Sequence, residues 1–217
     1  TPAIDIAGLI EPAYDVGGDC FDYAINGATA DIALFDPVGH TVESALLAGL
    51  VIGAYRHQRR EGRNLTEIHE TLDDAISEHS ADLSFVTGQL ARLELSTGTL
   101  QWTNAGHPAP LLLRSGTGAR TMSCPPTLPW GLGRPLSGSA RQAPTVATET
   151  LEPGDGVLFF TDGAIEVRNA EGRELGRNGL ADLASRHLSN DLRPEQTVRH
   201  LTRDVLEYRQ DTLADDS

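Results

Sequence analysis

The sequence predicts an α+β fold built on antiparallel strands. Two observations carry this. Segments of period two and segments of helical period come in blocks, in the order strands, two helices, strands, two helices, whereas a doubly wound sheet alternates them singly. Asn26-Gly27, between two strand-like runs, is a hairpin signature and so a mark of antiparallel pairing. At 217 residues, 39% hydrophobic and 22% charged, the chain has a globular balance and room for one full core, or at most two very small ones.

Ala3 to Ile10 alternates weakly and reads as a strand. Position 1 is not Met and a strand is already under way by residue 3, so the chain reads as a domain cut from a longer protein. Cys20 to Ile25 and Thr29 to Phe35 are the arms of the first hairpin, and Asp36 to Thr41 is a turn by its Pro and Gly content. A helix is expected over Glu43 to Arg60. Its small residues Ala45, Gly49 and Gly53 suit close packing, Arg56, Arg59 and Arg60 form a solvated C-terminal end, and Gly62 stops it. Asn64 with Glu67 resembles a capping box opening a second helix that runs to Ser80.

The period then returns to two. Leu83 to Leu95 and Thr99 to Thr103 read as a hairpin, followed by strands at Ala109 to Arg114, near Arg120 to Ser123 and at Thr145 to Leu151. Gly156 to Phe160 reads as a buried strand. Helices are expected over Leu180 to Leu188 and Pro194 to Tyr208.

Composition removes several function classes. All 17 basic residues are Arg, which excludes Schiff-base chemistry and the phosphate lysines of P-loop and kinase sites. A net charge of −14 argues against nucleic acid or an anionic membrane as the main partner. The longest nearly apolar run, Ala45 to Tyr55, is 11 residues and too short to span a bilayer. No signal peptide opens the chain, so a cytoplasmic protein is expected. Cys20 and Cys124 form no CxxC pair and read as reduced thiols.

The Asp residues fall where apolar strands end or begin. Asp19 lies in a Gly-Gly-Asp turn, Asp36 ends one strand, Asp162 ends another, and Asp215 and Asp216 sit where a further strand would begin. Asp is a common turn residue, so each site alone reads as a turn. If they converge, the like charges need a counter-charge. With no Lys, and the first Arg at position 56, hard divalent ions such as Mg²⁺ or Mn²⁺ are the natural one.

At this point a series of segments resembles a known family. Pro12-Ala13-Tyr14-Asp15-Val16-Gly17-Gly18-Asp19-Cys20-Phe21-Asp22 is similar to its PA-x-x-VGGD-x-x-D, and Asp36-Pro37-Val38-Gly39-His40-Thr41 to its D-x-x-GHG. Phe85-Val86-Thr87, Asn104-Ala105-Gly106-His107-Pro108 and Leu128-Pro129-Trp130-Gly131-Leu132 follow in order. So do Leu151 to Asp155, Phe160-Thr161-Asp162-Gly163-Ala164-Ile165-Glu166, and the closing Asp215-Asp216-Ser217. Over nearly its whole length the chain resembles the bacterial PPM-type (PP2C-like) serine/threonine phosphatases, in the branch that includes SpoIIE and RsbU.

The resemblance implies an α-β-β-α sandwich with two central antiparallel sheets, formed by residues 1–217 as a single domain, the C-terminal part of a longer protein and lacking its last strand. It implies two Mn²⁺ or Mg²⁺ ions. Asp19, Asp36 and the backbone carbonyl of Pro37 hold one, and Asp36, Asp162 and Asp215 the other, with Asp36 bridging. The nucleophile implied is a water between the metals, so no protein nucleophile is needed. Asn104, His107 and His40 are supporting candidates, read first as loop hydrogen-bonding residues. The implied substrate is a phosphorylated anti-sigma-factor antagonist, with an upstream sensor domain, dimerisation through the two helices after Asp36, and no nucleic acid or membrane insertion.

Three departures matter. Thr41 stands where the family has Gly, and a β-branched residue resists positive φ. Trp130 replaces Leu and reads as packing. Val38 stands where eukaryotic relatives carry a general-acid His. Thr41 motivates the main rival, an inactive PPM-fold signalling module. Two others fail sooner. A haloacid-dehalogenase-like site needs an Asp at position 38, and a diguanylate cyclase needs a Glu at position 20.

Overall fold

The computed structural model describes residues 4–11, 17–79, 84–133, 143–188 and 192–210. Asn26 is the last paired residue of β1 (Cys20–Asn26), and Gly27-Ala28 makes the two-residue turn into β2 (Thr29–Pro37), with Gly27 at φ 59°. β2 pairs antiparallel with β3 (Val86–Glu94), β3 with β4 (Thr99–Ala105), and β4 with β7 (Ala147–Thr150), giving a sheet in the order β1-β2-β3-β4-β7. β5 (Leu111–Arg114) lies between β6 (Gly118–Thr121) and β8 (Gly156–Leu158) in a second antiparallel sheet. With four helices, this is the α+β class with two antiparallel sheets that the sequence predicts.

The chain forms two compact units. The first, centred on residues 12–107 and 123–151, holds the five-stranded sheet with α1 (Val42–Arg60) and α2 (Leu65–His79). Leu47, Val51 and Tyr55 of α1 and Ile68, Leu72 and Ile76 of α2 bury against Phe35, Val86 and Leu90 of the sheet. The buried stripe of α1 thus avoids Gly49 and Gly53. Both lie on its exposed side, where an added Cβ meets nothing within 4 Å, so they are not the packing face the sequence suggests. The capping box is present: the Glu67 amide donates to Asn64 Oδ1 (3.0 Å), and the Asn64 amide donates to Glu67 Oε2 (2.9 Å).

Trp130 is the keystone of this core. It is fully buried, with its ring 5.7 Å from Phe35 and 5.2 Å from His69, and it exchanges two 2.9 Å backbone hydrogen bonds with Val86. Gly88 makes room for it. A Cβ there would fall 2.6 Å from the indole and 2.3 Å from the Leu34 carbonyl. Asp73 of α2, itself buried, accepts the amides of Gly131 (2.7 Å) and Gly133 (3.2 Å) and so pins the loop that carries the indole.

The second unit holds the three-stranded sheet with α3 (Gly176–Leu188) and α4 (Pro194–Gln210). Leu111, Leu113, Phe160, Leu180, Leu183 and Leu201 form its core. Arg114 grips Asp155 through two hydrogen bonds of 2.9 and 2.5 Å, which holds the Asp155 carboxyl below the usual carboxylate range.

Three element readings are corrected. Residues 4–11 form no strand: no described strand pairs with them, and Leu9 and Ile10 stay exposed. β8 is three half-buried residues rather than a buried GVLFF strand. Its partner β5 begins only at Leu111, because Pro110 has no amide and gives its carbonyl to Met122, and Phe159 and Phe160 run past the ladder. Asp162 therefore opens a short 3₁₀ turn (Asp162–Ala164) instead of ending a strand. Both cysteines are free, as expected. Among the described residues no helix is long and apolar enough to cross a membrane.

Three outcomes follow from this packing, each read by urea or thermal unfolding. Trp130→Ala costs about 3–5 kcal/mol, because it removes a filled core volume. Asn64→Ala costs about 1 kcal/mol through loss of the cap. The Arg114–Asp155 pair stabilises fully above the ordinary Asp value of 3.8 and loses its effect as pH falls through the lower folded value, so the Tm gap between wild type and Arg114→Gln holds at neutral pH and narrows below about pH 4.

Candidate metal centre

The β1–β2 ladder ends at the Cys20–Phe35 pair, and Asp19 and Asp36 are the next residues of the two segments. Both Asp residues are half-buried. The approach to Asp19 is tight. Gly18 is buried, and a Cβ there would sit 3.2 Å from Ser44 Cβ and 3.4 Å from the Pro37 carbonyl oxygen. A side chain there would press on both, so glycine lets the backbone of residue 18 pass close to the Pro37 carbonyl. Carboxylates and a carbonyl are oxygen donors of the kind that suits a hard divalent cation.

The Cys20 thiol reports the field there. Its pKa is pushed up to about 12, first by burial, then by the negative charges of Asp19 and Asp36, with Arg56 opposing. Arg56 is not a purely solvated helix end, contrary to the sequence reading. Its Nε (3.0 Å) and terminal NH2 (2.6 Å) both donate to Asp22 Oδ1, and Arg59 approaches Asp22 Oδ2 at 3.8 Å. The ion pair ties α1 to β1 three residues beyond Asp19. Nothing in the sequence signals it, because the partners are 34 positions apart.

The turn after Asp36 departs from expectation in one respect. Positive φ falls on Gly39, at 89°, while Thr41 is extended, at φ −108° and ψ 178°, and serves as N-cap residue of α1. The β-branch of Thr41 therefore carries no strain. Ser44 Oγ donates to the Thr41 carbonyl (2.7 Å), and the Val38 amide donates to the Phe85 carbonyl (3.0 Å), so both ends of the turn are held.

Asn104 and His107 are buried and lock one loop. Asn104 Nδ2 donates to the His107 carbonyl (2.9 Å), and the His107 amide donates to Asn104 Oδ1 (2.8 Å). His107 Nδ1 lies 2.9 Å from the Thr87 hydroxyl, and that hydroxyl reaches the Asp36 carbonyl at 3.5 Å. Thr87 faces Asp36 in the β2–β3 register, so the His107 loop braces the strand that carries Asp36. His40 is exposed in the turn.

Asp162 lies in the second unit, exposed, with its carbonyl accepting the amides of Ile165 (2.8 Å) and Glu166 (2.9 Å). Asp215 lies outside the described residues. Among the described residues no group of three or more His, Cys, Asp or Glu side chains stands together as a metal site. Of the predicted ligands, the first unit carries Asp19, Asp36 and Pro37.

The chain is 21% identical to phosphoserine phosphatase RsbU of Bacillus subtilis (strain 168) over 214 residues, covering 99% of this chain and 61% of that protein. It is similar to the crystal structure of the RsbU and RsbW domains of Rv1364c from Mycobacterium tuberculosis, with TM-score 0.73 and 31% identity over 91% of this chain and 51% of that one. It also shares the fold of the PP2C phosphatase domain of SpoIIE from Bacillus subtilis, with TM-score 0.73 and 18% identity over 92% of this chain and 56% of that one. The chain thus spans between half and two thirds of the length of these relatives. Residues 26–217 match the family model for Stage II sporulation protein E (SpoIIE), and the chain belongs to that family of PP2C-type phosphatases.

Proposed function

We propose that residues 1–217 act as one metal-dependent protein phosphatase domain that hydrolyses phosphoserine or phosphothreonine, with a phosphorylated anti-sigma-factor antagonist as its substrate. The observation that supports this reading is that Asp19 and Asp36 lie directly beyond the last pair of the β1–β2 ladder. Asp19, Asp36 and the Pro37 carbonyl would hold one Mn²⁺ or Mg²⁺, and Asp36, Asp162 and Asp215 would hold the second. Bound there, the two ions supply Lewis acidity at phosphorus and a water acidic enough to ionise near neutral pH.

The chain's own groups have defined tasks. Asp36 serves both ions, so its strand must not shift. The Thr87–His107–Asn104 bonds hold that strand from the β3 side. The Asp22–Arg56 pair holds β1 against α1 and supplies the positive charge that offsets the carboxylates before a cation arrives. His40 stands exposed in the turn, where a leaving group can reach it.

The family membership and the name of the RsbU relative support phosphoserine as substrate, and the RsbU and RsbW domains joined in Rv1364c support a partner from the same regulatory set. A cytoplasmic setting, an upstream sensor domain and a homodimer complete the proposal. The unstrained Thr41 supports the active reading over the inactive module.

Phosphate release from an aryl phosphate and from a phosphoserine peptide, titrated with Mn²⁺, tests the reading. Wild type turns over only with metal, and chelation abolishes it. Asp36→Asn loses at least about 100-fold, or about 2.7 kcal/mol of transition-state stabilisation. Thr41→Gly stays within about twofold of wild type, since a Gly N-cap costs only a few tenths of a kcal/mol. Metal-independent turnover, or an unchanged Asp36→Asn, would sink the proposal.

A further inference from the structure

The same two strands carry a second polar cluster at their other end. From Asp36 back to Thr29 is seven residues of extended chain, about 23 Å at 3.3 Å per residue. There the last turn of α1, the β1–β2 hairpin and β3 enclose a cleft of about 370 Å³. That is about a dozen waters, at the small-ligand end of the range for binding pockets. Arg59, Arg60 and Arg92 line it, with Asp31 as the one carboxylate, so the lining carries a net charge of +2 in a chain of −14.

Each cation is held differently. Arg92 is anchored by Nε on Asp31 Oδ1 at 2.6 Å. Arg60 is exposed and forms no ion pair with any described residue. Arg59 is the telling one. Its side chain is only 9% exposed, it leans on the Tyr55 ring at 5.9 Å, and its one carboxylate neighbour is Asp22 at 3.8 Å. Its Nε is buried with no hydrogen-bond partner. Buried polar groups are nearly always satisfied, so the orphaned Nε of an arginine that lines the cleft points to a polar guest. Arginine at a helix C-terminus is ordinarily a dipole effect, and Arg60 fits that. A buried Arg59 and a strand-borne Arg92 do not.

We propose that this cleft is an anion site that binds a phosphate group, either inorganic phosphate or the phosphoryl group of a small organophosphate. Guanidinium forks match phosphate oxygens in pairs, and a net +2 lining balances the dianion that phosphate becomes near neutral pH. The site lies at the opposite end of β1 and β2 from Asp19 and Asp36, and nothing in the reading of the metal centre requires it.

Calorimetric titration of the full chain with inorganic phosphate and with adenosine monophosphate, at fixed ionic strength, tests this. One site per chain is expected. Arg60→Glu, an exposed change that leaves the core intact, weakens it at least about tenfold. Arg59→Gln, checked for folding by its Tm, does the same. Asp36→Asn leaves it in place, which separates this site from the metal centre. Tighter binding of the nucleotide assigns an organophosphate as guest, and equal or tighter binding of phosphate assigns the free ion. No binding of either probe at 10 mM (on the order of the weakest specific affinity), wild-type affinity in Arg60→Glu, or loss in Asp36→Asn would overturn it.

Discussion

The antiparallel β1–β2 ladder, which ends beside Asp19 and Asp36, is the constraint on which the rest depends. Its register is fixed over seven pairs, and the two Asp residues lie directly beyond the last one. A one-residue slip would turn Ala33 and Phe35 out of the core, so the hydrophobic pattern of β2 fixes the register at its tip. The chain has no Lys, and Arg56 is engaged by Asp22, so it offsets the charges of Asp19 and Asp36 only in part. The proposed divalent cations are the counter-charge that the register calls for.

The surrounding features keep that tip rigid. Gly18 lets the chain pass against Ser44 and the Pro37 carbonyl, Gly39 takes the positive φ of the turn, and Thr41 starts α1 in an ordinary extended conformation. On the far side of β2, Thr87 relays the buried Asn104–His107 loop to the Asp36 carbonyl. Trp130, seated over Gly88 one pair away, packs the same strands from the core. Stability and proposed chemistry therefore draw on the same short stretch of sheet.

Much of this was legible in the residues, and the reasons are local. The hairpin at Gly27, the Asn64–Glu67 cap and the block order of strands and helices are set by short-range physics, so sequence periods and turn chemistry reveal them. The series of Asp-centred motifs points to the family whose model the chain matches. What escaped was long-range. The Asp22–Arg56 pair joins residues 34 apart, and the Thr87–His107 contact joins residues 20 apart. The alternation of residues 4–10 and the apolar GVLFF run overstated strand content, because a strand needs a partner as well as a pattern, and Pro110 removes part of β8's. The strain feared at Thr41 dissolved because Gly39, two residues earlier, takes the left-handed conformation.

The most direct test of the central claim is a crystal structure of the full chain soaked in Mn²⁺, with the metal located by its anomalous scattering. The account predicts an ion about 2.1 Å from carboxylate oxygens of both Asp19 and Asp36 and from the Pro37 carbonyl. Anomalous density elsewhere, with Asp19 and Asp36 left unligated at saturating Mn²⁺, would contradict it.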